Sequence, residues 1–505
     1  MKLSSCKPEL FLFLIAMCYG QVRGQVADGF EADAGAWTIT GNKSLVNISK
    51  IKPFRGTGSL ELGKNTGITQ TLKFSGLQLV SADVFARAIH ENDSIALSLI
   101  FLDSAYREVL RLTSAPALDT AYKHFGNYTI SPPGTSYLRI AINRGAGEGP
   151  VYLDSLLINT RIEKYRPQLS KVNTEQYLRP FWKTDTVYNE TVLMYADSGK
   201  QAAGRLIYMP EKIISVKSFD EKIRYHLNKD YSFTGRKIKS SAESDMPVMA
   251  DTFFQKNNLA WYDIQSKWVV ITYTTKEKWK GPAPVFRGRS LPLSIAKLQG
   301  RKPLKIVAYG MSITRGLNVS GYDSVAPFMP TYMDLFAGQL AKKYQHPAIE
   351  FSNAALPGTT AEWGAMNVAN YVNPLRPDLV LLDFGMNDFW RFSPEEFRTN
   401  IRQMISTIRK GNARTEFILI ANLGFDPAFI LESDTNRVYY QSNFDGYARV
   451  LEELQAPGIV CLNMNSISKY IYLRKSPRDC LANPLHPNDY MARWYAQALS
   501  ALLIP

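Results

Sequence analysis

Leu304-Lys305-Ile306-Val307-Ala308-Tyr309-Gly310-Met311-Ser312-Ile313-Thr314 is the stretch that decides the fold of this 505-residue chain. Ile306, Val307 and Ala308 form a short apolar run that ends at Gly310. Such a run reads as a strand buried on both faces of a parallel sheet. Gly310 lets the chain turn sharply after it. Ser312 then falls just past the strand's carboxyl end, where open α/β sheets bind ligands. A serine there has two readings, the cap of a turn or helix or a nucleophile.

Three later stretches weigh on that choice. Ser352-Asn353-Ala354-Ala355-Leu356-Pro357-Gly358 follows a strand-like run and sets Gly358 in a loop where a backbone N–H is exposed. In Asp378-Leu379-Val380-Leu381-Leu382-Asp383-Phe384-Gly385-Met386-Asn387-Asp388, an apolar strand ends at Gly385 and delivers Asn387 to the same sheet edge. Asn483-Pro484-Leu485-His486-Pro487 stands just before the last helical segment. With the opening stretch, these resemble the four sequence blocks of the SGNH (GDSL-type) hydrolase superfamily, in the family's order, over roughly residues 300–505. Two positions depart from the family pattern. Gly310-Met311-Ser312 stands where the family reads Gly-Asp-Ser, and Asn483 stands where its last block has aspartate three residues before histidine.

From Pro303 onward, strand-like and helix-like segments alternate. Strands are expected at 304–309, 348–354, 378–384, 415–421 and 458–463. Helices are expected at Tyr332–Tyr344, Ala361–Tyr371, Pro394–Lys410, Asn436–Leu454 and Pro487–Leu503. Ser393-Pro394-Glu395-Glu396 is a helix start. Five strands alternating with helices make a three-layer α/β/α domain with a parallel sheet, the flavodoxin-like architecture that the resemblance implies.

Upstream the texture is all-β. Residues 25–162 hold short strands between Gly, Asn, Asp and Pro turns, among them 36–39, 59–62, 95–101, 137–142 and 151–156, which predicts a β-sandwich. Gly29-Phe30-Glu31 with Trp37, followed by Gly56-Thr57-Gly58-Ser59-Leu60, resembles a jelly-roll carbohydrate-binding module. Trp37 is then either a sugar-stacking platform or, by the commoner reading, a core residue. Residues 163–299 form a second β-rich region, with strands expected at 191–195, 205–208 and 268–273 and a spacer at 276–284. It is expected to pack on the 300–505 domain or to shape its cleft.

Residues 1–24 read as a secretory signal. Lys2 and Lys7 precede the apolar core Leu10–Cys18, and Val22-Arg23-Gly24 suits cleavage before Gln25. Ile15-Ala16-Met17 is a poor lipobox for Cys18. The expected localisation is secreted or periplasmic, with no stable membrane insertion. The mature chain keeps Cys461 and Cys480, which are either bridged or separate buried thiols. Basic residues number 59 against 45 acidic, a net +14, but they are scattered rather than gathered into a nucleic-acid-binding arm. Charged residues make up 21%, which excludes overall disorder.

The resemblance implies ester hydrolysis without metal or organic cofactor. Ser312 is the nucleophile and His486 its base. Ser312 N–H, Gly358 N–H and the Asn387 side chain form the oxyanion hole. The group orienting His486 is open between Asn483, Asp479 and a backbone carbonyl. Trp363 and Trp390 flank the blocks as candidate sugar platforms. With export and the β modules, they favour a carbohydrate ester, chiefly acetyl, as substrate. The rival readings are a carbohydrate-binding protein or weakened hydrolase, because of Met311 and Asn483, and a lipid-directed esterase or lysophospholipase.

Overall fold

The computed structural model describes residues 26–28, 30, 37–51, 53–74, 76–91, 93–161, 169, 172–196, 201–250, 264, 267–430 and 434–505. The expected signal segment and Cys18 lie outside the described residues. The chain divides into two compact units between Lys164 and Tyr165.

The first unit is a β-sandwich. One antiparallel sheet runs in the order 46–49, 59–62, 151–161, 79–88, 123–130, and the other in the order 38–40, 66–73, 137–144, 95–102, 108–114. The period-two pattern of each strand builds the core. On Leu79–Ala88, the residues Val80, Ala82, Val84 and Ala86 are buried while Ser81, Asp83 and Phe85 are half-buried. Leu97, Leu99, Phe101, Leu138, Ile140 and Ile142 join the same core from the other sheet. Trp37 is 7% exposed within it, so it packs and is not a stacking platform.

The second unit holds the other β-rich region and the α/β domain together. Strands 186–193, 268–274, 212–218 and 224–225 make one sheet, and five short strands between 195 and 250 make another. The strand expected at 205–208 stops at Arg205, because the Ile207 N–H bonds the Glu190 carboxylate at 2.8 Å instead of a neighbouring strand. The expected spacer is pinned: Trp279 packs edge-on to Tyr470 and against Trp494.

In the α/β domain all five strands are parallel, in the order Ile349–Asn353, Leu304–Gly310, Leu379–Asp383, Glu416–Ala421, Ile459–Asn463. The expected strands hold to within a residue or two, as do the helices Tyr332–Tyr344, Ala361–Tyr371, Pro394–Gly411, Arg437–Glu453 and Asp489–Leu503. Pro394–Gly411 opens with a Ser393/Glu396 capping box and buries Phe397, Ile401, Met404, Ile405 and Ile408, the spacing of one helical face. Helices Pro292–Gln299, Ser312–Arg315 and Met464–Tyr472 were not expected. The strand order matters most for function. The domain's first strand lies between its second and third, so the chain reverses direction of travel there. The loops after these three strands then leave the same sheet edge side by side, at the switch point where such sheets bind ligands.

The β-rich region is interlocked with the α/β domain through strand 186–193. Lys475 Nζ lies 2.6 Å from Glu190 Oε1 and 2.7 Å from the Thr191 carbonyl. The Arg493 guanidinium donates to the Tyr188 and Asn189 carbonyls at 2.8 and 2.6 Å. Lys475 and Glu190 side chains are fully buried. Burial alone would lower the Lys475 pKa, but the charges of Glu190 and Asp479 more than offset it and hold the ammonium above its ordinary range. The division at residues 162/163 and 299/300 remains a proposal about domains, with the latter two sharing one compact unit. Removing one partner of a buried ion pair leaves the other charge unpaired, at about 3–5 kcal/mol. Glu190→Gln should lower stability by that order in urea unfolding. A loss below ~1 kcal/mol would mean that Lys475 finds another counter-charge.

Candidate active site

The site is built at the end of strand Leu304–Gly310. Gly310 is required by close approach: a Cβ there would collide with Thr314 Oγ1 and the Asp383 carbonyl. Met311 caps the single helical turn Ser312–Arg315, and Ser312 is its first residue, 6% exposed. Thr314 Oγ1 accepts the Met311 N–H at 3.1 Å and donates to Asp383 Oδ2 at 2.8 Å. Tyr332 Oη and Asn422 Nδ2 also donate to Asp383. Burial pushes the Asp383 carboxyl up to about 6 despite these three donors. The elbow that presents Ser312 is therefore braced from below by a buried carboxylate.

His486 reaches the serine from the loop before the last helix. His486 Nε2 lies 2.7 Å from Ser312 Oγ, the distance a general base needs. Residues 480–488 close on themselves: Ala482 N bonds the His486 carbonyl, and Asn488 N bonds the Cys480 carbonyl, each at 2.9 Å. Asn483 Oδ1 accepts the Leu485 and His486 N–H groups at 3.0 and 2.9 Å, an Asx-type turn at the loop's tip. Around the ring's other nitrogen, Asn318 Oδ1 stands 2.7 Å from His486 Nδ1, and Asn483 Nδ2 stands 2.9 Å from it. Burial alone lowers the His486 pKa to about 4, so the ring is neutral near pH 7.

The other blocks meet the elbow. Leu356 N bonds the Gly310 carbonyl at 3.0 Å, and Gly358 follows at φ +80°, a left-handed conformation that suits glycine. Asn387 Nδ2 donates to the Thr359 carbonyl at 2.9 Å and lies 3.7 Å from Met311 Sδ. One N–H of this amide is thus spent on the loop, and the other has a weak sulfur acceptor for a neighbour. Asp388 fixes the arrangement by accepting the Ala361 and Gly385 N–H groups at 2.8 and 3.1 Å. Burial pushes its carboxyl up to about 7.

Other expected residues lie elsewhere. Asp479 does not turn to the ring. Its Oδ1 accepts the Leu193 N–H at 2.7 Å and its Oδ2 is 3.9 Å from Lys475. Trp363 is half-buried and packs between Tyr309 and Tyr371. Trp390 is half-buried against Phe389 and Phe429, beside an aromatic cluster that includes Phe425 and Phe444. Cys461 and Cys480 are separate thiols. Asn318, Thr314 and Asp383 were not singled out beforehand. For Asp383 the signal was there, a carboxylate inside an apolar strand. Among the described residues no group of three or more His, Cys, Asp or Glu side chains is placed to hold a metal ion, and no helix is long and apolar enough to cross a membrane.

Thr314→Val should keep the elbow's shape but leave the buried Met311 N–H without its acceptor, and an unsatisfied buried donor costs about 1–3 kcal/mol. Thermal or urea unfolding should report a loss of that size. An unchanged stability would show that the brace below the elbow does not run through Thr314.

No curated protein matches this chain. A two-domain esterase (CEX) active on acetylated mannans is 19% identical over 43% of this chain and 53% of that chain, with a TM-score of 0.33. An acetyl xylan esterase, AlAXEase, is 17% identical over 39% of this chain and 97% of that chain, at 0.31. The CBM22-1 xylan-binding domain from Paenibacillus barcinonensis Xyn10C is 15% identical over 28% of this chain and 97% of that chain, at 0.24. At such identities and scores these likenesses carry nothing about substrate. Residues 308–494 match the model of the GDSL-like Lipase/Acylhydrolase family.

Proposed function

We propose that the protein is an exported serine esterase that removes acyl groups, chiefly acetyl, from a poly- or oligosaccharide. The observation that carries this reading is the 2.7 Å approach of His486 Nε2 to Ser312 Oγ at the switch point of the sheet. Ser312 Oγ attacks the ester carbonyl while His486 Nε2 takes its proton. The negative charge on the carbonyl oxygen is met by the Ser312 N–H, the Gly358 N–H and the Asn387 amide. The imidazolium then protonates the departing sugar oxygen, leaving Ser312 acylated. Water, deprotonated by His486, attacks this ester, and acetate leaves with the serine restored.

The surroundings support a sugar over a long acyl chain. Beside the aromatic cluster lies a groove of about 660 Å³ lined by Phe425, Pro427, Ile430, Arg437, Gln441 and Asp445, among others. Its loop is tied to the histidine loop, since Asp426 N bonds the Pro484 carbonyl at 2.8 Å. The guanidinium, amide and carboxylate groups of Arg437, Gln441 and Asp445 in this lining suit the hydroxyls of a sugar ring. The weakened-hydrolase reading keeps one observation in its favour: Asp479 faces the Leu193 N–H and Lys475 instead of the His486 ring.

Acetate release from a panel of acetylated polysaccharides tests the proposal. Ser312→Ala should abolish release with the fold intact. Asn387→Ala should lower kcat by ~10²–10³ with little change in KM, because its bond strengthens only in the transition state. A wild-type rate equal to buffer on every substrate would favour the binding-protein reading. Preference for long acyl chains would favour the lipid reading.

A further inference from the structure

We infer that His486 is oriented by Asn318, whose side-chain oxygen holds the ring's Nδ1, with Asn483 supporting that oxygen. This rests on the Ser312–His486 reading above and adds a positioning residue that the sequence blocks do not contain.

The argument begins with hydrogen-bonding capacity. His486 can act as a base toward Ser312 only if its proton sits on Nδ1, leaving the Nε2 lone pair facing Oγ. The group near Nδ1 must then be an acceptor. Asn483 Oδ1 is committed to two backbone N–H groups, and its Nδ2 is a donor. Asn318 Oδ1, at 2.7 Å, is the acceptor of the two. Its orientation is supported from both sides. Asn483 Nδ2 donates to the same oxygen at 2.8 Å, and Asn318 Nδ2 faces Asp323 Oδ2 at 3.5 Å. Donation from the Asn318 amide toward Asp323 makes its oxygen a better acceptor for the ring N–H, as in a hydrogen-bond chain.

The backbone explains how Asn318 gets there. The turn Ser312–Arg315 ends at Gly316 in the left-handed region, and Leu317 N bonds the Ser312 carbonyl at 3.1 Å. Asn318 is itself left-handed, at φ +67°, a conformation that asparagine tolerates better than most residues. The chain thereby doubles back and returns the Asn318 side chain to the nucleophile. Two residues on, Ser320 N and Oγ bond Asp489 at 2.8 and 2.6 Å. Asp489 opens the last helix, so the asparagine loop and the histidine loop are fastened to one anchor.

Charged groups on the surrounding elements have partners of their own. Asp323 lies beyond Asn318, Asp489 holds Ser320, Asp479 holds Leu193 N, Asp426 is paired with Arg478, and Arg315 bonds the Asn353 carbonyl. Burial lowers the His486 pKa to about 4. The base stays deprotonated, and hydrolysis persists, down to acidic pH. The acid limb of kcat/KM falls where the ring gains its proton.

Asn318→Asp tests this with p-nitrophenyl acetate as the probe. A carboxylate facing Nδ1 favours the charged ring, so the acid limb should move up by ~1–3 pH units. Asn318→Gly relieves the left-handed backbone while deleting the amide. It should lower kcat by ~10²-fold with KM and Tm kept, since the base loses its orientation. An NMR titration of the His486 ring reads the same upward shift in Asn318→Asp without any turnover. An acid limb and a ring titration unmoved in Asn318→Asp, or a kcat unmoved in folded Asn318→Gly, would overturn the assignment. Hydrolysis surviving in Ser312→Ala would instead sink the Ser312–His486 reading, which keeps the two failures apart.

Discussion

The site depends on the docking of one loop. Ser312, Gly358 and Asn387 all hang from neighbouring parallel strands, so the sheet aligns them at no further cost. His486 does not; it comes from a loop between a 3₁₀ turn and the last helix. Its 2.7 Å approach to Ser312 Oγ therefore has to be secured by contacts outside the sheet. Four sets of them are visible. The loop is closed on itself by the Asn483 turn. Asp489 ties the following helix to the Ser320 loop. Asp426 N holds the Pro484 carbonyl. Finally, strand 186–193 grips the loop's base, where Thr191 Oγ1 and Asn488 Nδ2 both donate to the Asp479 carbonyl, at 2.5 and 2.9 Å.

That last set changes the standing of the middle β-rich region. Glu190, Thr191 and Leu193 bond the lysine, carbonyl and carboxylate groups on which the histidine loop rests. Trp268 Nε1 adds a bond to the Arg478 carbonyl at 3.0 Å. The region thus acts as a splint for the His486 loop, and Asp479 contributes from a distance as part of that splint. Buried ionic contacts of this kind are poor sources of net stability but strong determinants of a single geometry when every partner is satisfied.

Much of the α/β domain was legible in the chain. Apolar runs ending at Gly310 and at Asp383, with a strand-like run before Asn353, mark parallel strands, and Ser393-Pro394-Glu395-Glu396 marks a helix start, because each signal is local. Ser312, Gly358, Asn387 and His486 were legible for the same reason, as short blocks beside strand or helix ends. What could not be read depends on long-range geometry. Asn318 in a loop after Gly316 looks like any turn asparagine, and only the doubled-back chain gives it a partner. Glu190 and Lys475 are 285 residues apart, so no window of sequence joins them. Whether Trp363 and Trp390 stack on a ligand was not legible, because an aromatic residue near a motif has the same local appearance whether it stacks on a ligand or packs under a helix.

The central claim is that Ser312 is a nucleophile activated by a neutral His486. Fluorophosphonate labelling followed by intact-mass and peptide mapping addresses it without knowledge of the natural substrate. The account predicts one adduct per chain, located on Ser312, formed at a rate that falls only as pH drops through about 4, where the ring gains its proton. An unlabelled protein, or an adduct on any other residue, would contradict it.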